Sequence, residues 1–395
     1  MQIKLPENVE LILDRLENGG HRADIVGGPV RDFLLGKIPD DYDITTSASP
    51  EETKSIFADL RTVDTGIKHG TVSVILDGAQ YEVTTYRIDG EYKDSRHPES
   101  VTFTKNIEED LRRRDFTMNA IAYSPRHGIT DPYGGREDTA KGIIRAVGEP
   151  ELRFTEDALR ILRGVRFSGV LGFEIEEKTA EAMHETRHLL KNVSVERIYV
   201  ELKKLISGKY SYEVLLRFSE IILDVIPELS GLNLPEKALY ENADFTARLL
   251  ALFYLNSPSP STCFETATKR LHTDSHIREL GAKALSKIDS ANTKSDVGLK
   301  YILRDVGEEC AIALTNAKIL LGLDDESSRE RLAALLDGGA VYKLSDLRIN
   351  GKAFGELGVK GKRIGEILSS LLDSVIEGKI ENTEEELLSA AKKML

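Results

Sequence analysis

The stretch Ala23–Thr46, ADIVGGPVRDFLLGKIPDDYDITT, decides the fold of the N-terminal part of the chain. A short apolar run ends in Gly27-Gly28, and a segment with helical periodicity follows from Pro29 to Leu35. A second short run then ends at Thr45-Thr46. This order predicts a strand, a glycine turn, a helix and a second strand.

Two aspartates lie on the second predicted strand. Side chains two apart on a strand point to the same face, so Asp41 and Asp43 present adjacent carboxylates while Tyr42 points the other way. Two carboxylates this close repel each other and need a cation between them. Hard oxygen ligands of this kind suit Mg²⁺, and the pair therefore predicts a magnesium site.

The glycine turn predicts an anion site close to these aspartates. Gly28 leaves backbone N–H groups open just before a helix N-terminus, where a triphosphate is favoured, and Arg31 adds a charge-assisted contact one turn later. Alone, a glycine pair is usually only a turn, and a D-x-D sequence is often a solvated loop. Both features in this order, within about twenty residues, are far more specific.

These motifs support a resemblance to a known family. The string GGPVRDFLLG followed by DDYD resembles the head motif of the polymerase-beta nucleotidyltransferase superfamily. It is most similar to the class II tRNA nucleotidyltransferases (CCA-adding enzymes) and their relatives, the bacterial poly(A) polymerases. A second segment, LRRRDFTMNAIAY at 111–123, resembles the second head motif, although a basic triplet is usually a solvated face. The resemblance implies that Arg114 touches the incoming nucleotide, while Asp115 and Asn119 hold the active site together.

The segment EDALRILRGVRF carries a candidate base-reading site. With Thr155 as the predicted N-cap of a helix, Asp157 and Arg160 are neighbours on its surface, and Arg163 and Arg166 extend a stripe. From spacing alone, a row of surface ion pairs is an equal alternative.

The chemistry of a carboxylate beside a guanidinium favours base recognition. Cytosine and adenine each offer an amino donor beside a ring acceptor, which matches that pair. Guanine and uracil would leave buried polar groups unpaired, at a cost of roughly 1–3 kcal/mol per group. The segment also resembles the family's nucleotide-selecting motif. By that resemblance Asp157 and Arg160 read the base, while Arg163 and Arg166 support the pair or approach the triphosphate.

Around these motifs the pattern predicts an α+β protein. An amphipathic helix is predicted over 4–20, and a β-hairpin is predicted around Asp77-Gly78-Ala79. Glu82 on the hairpin is a candidate third carboxylate, with a surface glutamate as the alternative. Residues from about 131 to 148 are expected to form a turn and short strands, and from Glu151 onward only helices are expected.

We expect four domains: a nucleotidyltransferase head with a mixed β-sheet and helices at 1–148, and an all-helical neck, body and tail at 149–208, 209–297 and 298–395. The polar segment 88–106 reads as a mobile loop near the site. In the tail, Asn350–Lys352 and Gly358–Arg363 form a cluster of lysines and glycines that is either a solvated loop or a phosphate contact. This segment resembles the family's tRNA-binding tail.

Composition limits the classes of protein. The net charge is −13, so any positive charge for binding RNA must be local. Cys263 and Cys310 have no metal-site spacing, and a reducing compartment fits them. No signal-type or membrane-spanning apolar run occurs in the sequence, and we therefore expect a cytoplasmic protein without a membrane partner.

The resemblance implies template-independent addition of C, C and A to the 3′ end of tRNA from CTP and ATP, with two Mg²⁺ ions held by Asp41 and Asp43. Three alternatives stay open: an enzyme that adds only the terminal A, a bacterial poly(A) polymerase, and a catalytically silent RNA-binding protein. A fourth, a zinc peptidase, rests only on HETRH at 184–188, which matches the HExxH pattern. The oligomeric state is left open, with a homodimer as one option.

Overall fold

The computed structural model describes residues 3–90, 101–350, 353, 359 and 361–395. The chain forms two compact units, Met1–Val225 and Ile226–Leu395. The finer division into head, neck, body and tail stays a prediction. In the described part of the chain, no helix is both long and apolar enough to cross a membrane.

A mixed sheet organises the first unit. Its strands and those of two small ribbons are β1 Ala23–Val26, β2 Ile44–Thr46, β3 Arg61–Gly66, β4 Thr71–Leu76, β5 Ala79–Thr85, β6 Arg87–Asp89, β7 Val101–Phe103, β8 Ala122–Ser124, β9 Gly128–Thr130, β10 Ile143–Ile144 and β11 Glu174–Ile175. Over the described residues the main sheet has seven strands in the order β3-β4-β5-β2-β1-β8-β9, while β6 pairs with β7 and β10 with β11. The strand that precedes the glycine turn, β1, therefore lies inside the sheet.

Register brings the two candidate motifs to one part of this sheet. Strand β1 pairs antiparallel with β2, with Ile25 opposite Ile44. Strand β2 pairs parallel with β5, with Ile44 beside Val83. The three residues are buried in one apolar cluster together with Val30, which packs the helix after the glycine turn onto the sheet. Burial of this cluster is the main force that fixes the turn in place.

Helices surround the sheet and continue to the end of the first unit. They are α1 Glu7–Asn18, α2 Gly28–Leu34, α3 Pro50–Ile56, α4 Ile107–Arg112, α5 Gly135–Lys141, α6 Pro150–Glu156, α7 Leu159–Leu171, α8 Glu177–Thr186, α9 Val195–Ile206, α10 Ser211–Arg217 and α11 Ser219–Val225.

The second unit is built from helices in its described part. They are α12 Lys237–Asn242, α13 Phe245–Asn256, α14 Pro260–Arg270, α15 Ser275–Lys287, α16 Asp296–Val306, α17 Glu308–Leu320, α18 Glu326–Asp337, α19 Lys362–Ile376 and α20 Glu384–Lys393. One of its apolar clusters joins α19 and α20 through Leu371, Leu372 and Leu387. The predicted α+β class, with a mixed-sheet head followed by helices, is confirmed.

Several local predictions are confirmed and others are wrong. Helix α1 forms, and the predicted hairpin is β4–β5, whose turn residues Asp77 and Gly78 both have positive φ. Residues 135–141, predicted as turn and strand, form α5 instead, because Gly134 and Gly142 in the left-handed region cap a full helical segment. The expectation of only helices after Glu151 is wrong at β11, which is too short to show a periodic pattern.

Candidate active site

The glycine turn is bordered by two guanidinium groups. Gly27 has φ 78° and ψ −121°, a conformation that L side chains rarely adopt. A Cβ at Gly27 would lie 3.1 Å from Nη1 of Arg114, and one at Gly28 would lie 3.8 Å from Nη2 of Arg31. The open face of the turn therefore meets two cations from separate segments. That arrangement suits a phosphate group.

The two aspartates lie just before β2 and not on it as predicted. The strand begins at Ile44, although Val26 N still donates to Asp43 O at 3.0 Å and so continues the pairing. The predicted alternation nevertheless holds. Asp41 and Asp43 are exposed, while Tyr42 packs on the apolar cluster, its ring centroid 6.2 Å from that of Phe33.

A negative charge on Asp43 is unfavourable unless a cation lies beside it. The side chain of Asp43 is exposed to water, yet neighbouring protein atoms displace much of the water that would surround a free carboxylate. That desolvation raises the pKa of Asp43 above its ordinary value, and repulsion by Asp41 adds to it against the attraction of Arg114 and Arg163. Two exposed carboxylates are hard donors that fit a divalent cation. Among the described residues, no group of three or more His, Cys, Asp or Glu side chains is placed to hold a metal ion.

Arg114 has an unused hydrogen-bond donor. Its guanidinium lies 3.6 Å from the buried carboxylate of Asp110. Burial lowers the pKa of Arg114, and Asp110 opposes that change. Its Nε is buried and has no hydrogen-bond partner among the described residues. A buried donor without a partner costs free energy that an incoming acceptor would recover.

Asp115 ties the second head motif to α7. One oxygen accepts from Phe116 N at 2.8 Å and from Asn119 Nδ2 at 3.1 Å. The other accepts from Nε of Arg163 at 2.8 Å and lies 2.7 Å from its Nη2. Despite burial, these partners lower the pKa of Asp115 to about 2. Asn119 in turn accepts from Arg31 Nη1 at 2.8 Å, so the network reaches the glycine turn.

The base-reading segment differs from the prediction. Helix α6 ends at Glu156 and α7 begins at Leu159, so Thr155 is inside a helix and is not its N-cap. Asp157 lies at the break between the helices, where its Oδ1 accepts from Leu159 N at 3.1 Å. This bond satisfies one of the open N–H groups at the start of α7, and so stabilises the break.

The predicted neighbours Asp157 and Arg160 have separate partners. Asp157 Oδ2 lies 2.7 Å from Nη2 of Arg197 on α9. Arg160 Nη1 lies 2.8 Å from Oε2 of Glu156, and its Nη2 donates to the carbonyl of Arg113 at 2.8 Å. The prediction that the pair lies side by side on one helix surface is therefore wrong in this conformation.

Sequence reasoning missed the residues of α9 that hold these groups. Besides Arg197, the buried Glu201 accepts from Arg166 Nε at 2.8 Å and lies 3.9 Å from Arg163 Nη1. Arg197 and Glu201 are four apart in VERIYVELKK, so one helix face carries both. The spacing indicates that Arg197 and Glu201 share one face of a helix, but it does not show which other helix packs against that face.

The two histidines of HETRH have other contacts. Helix α8 ends at Thr186, and His188 lies in the 3₁₀ segment Arg187–Asn192. His184 stacks on Phe218 with ring centroids 5.7 Å apart, while His188 Nδ1 lies 3.0 Å from the carbonyl of Glu185. The change of helix type removes the i, i+4 geometry on which a zinc site would depend.

Two predicted loops fall partly outside the described residues. The described ends of 88–106 pair as β6 and β7, which corrects the prediction of a loop there. Residues 91–100 lie outside the described residues, and so do Gly351, Lys352, Gly358 and Lys360 of the lysine and glycine cluster. A cavity of about 290 Å³ adjoins the C-terminal end of β6. It is lined by Ile88, Asp89, Glu109, Arg112, Arg113, Arg153 and Glu156.

Comparison with protein families gives three matches in chain order. A model described as "Poly A polymerase head domain" matches residues 23–145. A second, "Probable RNA and SrmB- binding site of polymerase A", matches 172–232. The third, "tRNA nucleotidyltransferase domain 2 putative", matches 269–391.

Individual proteins match over nearly the whole chain. The CCA-adding enzyme of Geobacillus thermodenitrificans is 39% identical over 388 residues, which cover 95% of this chain and 94% of that protein. The CCA-adding enzyme of Ligilactobacillus salivarius is 38% identical, with 97% and 95% covered. The solved structure of the Bacillus stearothermophilus CCA-adding enzyme in complex with CTP matches with a TM-score of 0.80 and 33% identity, covering 99% and 98% of the two chains.

Proposed function

The chain belongs to the family of tRNA nucleotidyltransferases known as CCA-adding enzymes, and from that premise we propose how its residues act. The protein is an enzyme that adds C, C and A to the 3′ end of tRNA from CTP and ATP. In each step the 3′-oxygen of the primer forms a bond to the α-phosphorus of the nucleotide, and pyrophosphate leaves. The observation that carries the mechanism is the glycine turn, bordered by two guanidinium groups and followed by two exposed aspartates.

The phosphate chain of the nucleotide binds at this turn. Gly27 and Gly28 leave room for phosphate oxygens, and Arg31 and Arg114 face that room. The unpartnered Nε of Arg114 gains an acceptor when the nucleotide binds, and its attraction to Asp115 and Asp110 keeps it in place. No covalent intermediate is needed, because positioning and charge stabilisation supply the rate enhancement.

Asp41 and Asp43 would hold Mg²⁺. When bound, Mg²⁺ supplies charge that lowers the pKa of the primer hydroxyl and stabilises the leaving pyrophosphate. The raised pKa of Asp43 supports this assignment, because the site disfavours its negative charge until a cation neutralises it. Asp43 and Glu82 precede the paired residues Ile44 and Val83 and are both exposed, but no three carboxylates among the described residues are placed around one metal ion, so Glu82 is not assigned to the site.

Asp157 and Arg160 would read the base. The carboxylate accepts from the amino group of cytosine or adenine, while the guanidinium donates to the adjacent ring nitrogen. Because Asp157 is held by Arg197 and Arg160 by Glu156, reading a base requires at least one of these pairs to rearrange. Arg163 and Arg166, on the same helix, would support the pair or approach the triphosphate.

The polar segment 88–106 would set the change from C to A. Its described end, Ile88 and Asp89, lines the same cavity as Glu156, the partner of Arg160. A change in the conformation of the segment would therefore alter a cavity that Glu156, the partner of Arg160, also lines. Shortening this segment should abolish addition of A and spare addition of C; equal loss of both activities would contradict this assignment.

A tRNA extension assay tests the function itself. Transcripts that end before CCA, after C or after CC are incubated with Mg²⁺ and CTP, ATP or both, and products are resolved to single nucleotides. We expect the shortest transcript to grow by three nucleotides and stop. Extension of only the CC-ended transcript would indicate an A-adding enzyme, long A tails a poly(A) polymerase, and no extension an RNA-binding protein. A cytoplasmic location, where tRNA, CTP and ATP meet, completes the proposal.

A further inference from the structure

Three guanidinium groups surround the buried ring of Phe167, the residue that follows the last arginine of the α7 stripe. The Cζ atoms of Arg31 and Arg163 each lie 5.4 Å from the ring centroid. Cζ of Arg166 lies 3.6 Å from it, in stacking distance. Arg31 comes from α2, directly after the glycine turn, and the other two come from α7. One phenyl ring therefore contacts cations from two separate helices, α2 and α7.

Carboxylates alone do not fix these cations. Asp32, Asp115 and Glu201 each bind one of them at one edge of the guanidinium plane. An edge contact fixes where the nitrogen atoms lie, and Asn119 adds one more for Arg31, but contacts of this kind lie at the edge of the guanidinium plane and leave its face uncovered. The negative face of an aromatic ring attracts cations within about 6 Å, and it offsets the mutual repulsion of neighbouring positive charges. The ring therefore supplies the contact that the carboxylates lack.

The ring is itself held in one orientation. Phe116 meets it edge to face, with centroids 6.0 Å apart and planes at 87°. Phe116 is fully buried, and its backbone N–H donates to Asp115. The orientation of Phe167 is thus set by the same head motif that binds Arg163.

Donors remain available on the cations that the ring orients. A guanidinium carries five N–H groups. The hydrogen bonds of Arg31 to Asn119 and Asp32 use one N–H group on each of its three nitrogen atoms, which leaves a second N–H on Nη1 and on Nη2, and Nη2 also faces Gly28. Part of its donor capacity is thus left for a ligand at the turn.

We propose that Phe167 is a positioning residue that orients Arg31 and Arg163 toward the triphosphate of the incoming nucleotide. The inference rests on the proposed function and adds a residue that acts through the phosphate chain and not through the base. Loss of the ring should therefore weaken the binding of CTP, ATP and inorganic tripolyphosphate by the same factor. The preference between CTP and ATP should not change.

Equilibrium binding of these three ligands to Phe167→Leu tests the inference. We expect each to bind about three- to tenfold more weakly than to the wild type. Phe264→Leu is the matched control, because Phe264 is buried, as Phe167 is, and meets Phe253 edge to face with centroids 5.1 Å apart. It should lose thermal stability to a similar extent and keep its ligand affinities.

Fluorinated phenylalanines at position 167 separate the charge of the ring face from its packing. Each added fluorine weakens the negative face and barely changes the shape, so affinity for all three ligands should fall stepwise while thermal stability holds. Unchanged affinity across the series, in a chain whose wild type binds CTP, would overturn the inference alone. Failure of the wild-type chain to bind CTP would overturn the proposed function together with it.

Discussion

The proposed phosphate site around the glycine turn and the proposed base-reading site at Asp157 and Arg160, called here the phosphate side and the base side, differ in how far they are assembled. On the phosphate side, Arg31 and Arg114 already face the glycine turn. The Oδ2 atom of Asp115 contacts both Nε and Nη2 of Arg163. On the base side, Asp157 and Arg160 are each held by a different residue. The first arrangement is ready for a ligand, whereas the second must rearrange to read a base.

This difference matches the chemistry that each side performs. Every nucleotide carries the same triphosphate, so a rigid phosphate site serves all additions without reorganisation. The base changes from C to A during one reaction sequence, so a fixed reader would favour one of them. If Asp157 and Arg160 read the base as proposed, their partners Arg197 and Glu156 would keep them hydrogen-bonded until a base replaces those contacts.

The largest effect should come from removing a metal-binding carboxylate on the phosphate side. Asp41→Asn or Asp43→Asn should lower turnover by about 10³-fold or more for both CTP and ATP. Because the pKa of Asp43 is raised in the folded state, its ionised form costs stability at neutral pH, and Asp43→Asn should melt at a higher temperature than the wild type. Asp40→Asn makes the same change in charge and should leave turnover within about threefold. A loss confined to one nucleotide would contradict the common phosphate site.

Removal of a phosphate-side cation should act equally on all nucleotides. Arg114→Gln should raise KM for CTP and ATP by about tenfold or more, since a hydrogen bond to a charged group is lost. Arg136→Gln, at an exposed arginine of α5, is the control and should change KM by less than about threefold. Steady-state kinetics with each nucleotide measure both variants. A change in the CTP to ATP ratio would show that the two sides are not separate.

The Asp115 network should make the phosphate side sensitive to acid. With a pKa of about 2 in the folded state, Asp115 stabilises the fold at pH values above its unfolded pKa, and this contribution is lost as the pH falls toward 2. The stabilisation corresponds to about 2 kcal/mol. The free energy of unfolding of Asp115→Asn should therefore fall below that of the wild type at pH 7, with a gap that narrows between about pH 4 and pH 2. A gap that is constant with pH would exclude this charge network as its source.

The smallest effect should come from the partner of Asp157. Arg197→Met removes the contact at 2.7 Å but keeps the apolar stem of the side chain. Because Arg197 is partly exposed, discrimination of CTP against UTP should fall only about three- to fivefold. The turnover rate with CTP should not change. Competition assays with both nucleotides measure the ratio, and an unchanged ratio would leave Arg197 without a part in base reading.

The sequence predicts the phosphate side better than the base side, for a physical reason. The glycine turn, Arg31 and Asp43 lie within one strand–turn–helix–strand segment, where local periodicity and register determine the geometry. The contact of Arg163 with Asp115 spans two distant segments, and the resemblance to a family indicated only that both belong to the site.

The base side depends on a helix break that periodicity does not show. The sequence predicts that a helix begins with Thr155 as its N-cap, whereas α6 runs on to Glu156 and α7 begins only at Leu159, with Asp157 in the break. Arg197 and Glu201 lie on a helix that pairs with α7 only in the folded protein. Tertiary contacts of this kind leave no local signal in a single sequence.

The separation of the two sides is tested most directly by measuring kcat/KM for CTP, ATP, UTP and GTP in Asp157→Asn and in Arg114→Gln. An asparagine amide can turn to offer either a donor or an acceptor, so Asp157→Asn should reduce the preference for C over U and for A over G by about tenfold or more. Arg114→Gln should lower all four values by one common factor. If Asp157→Asn lowered all four equally, or Arg114→Gln changed the preference between bases, the two sides would not act separately and the account would be wrong.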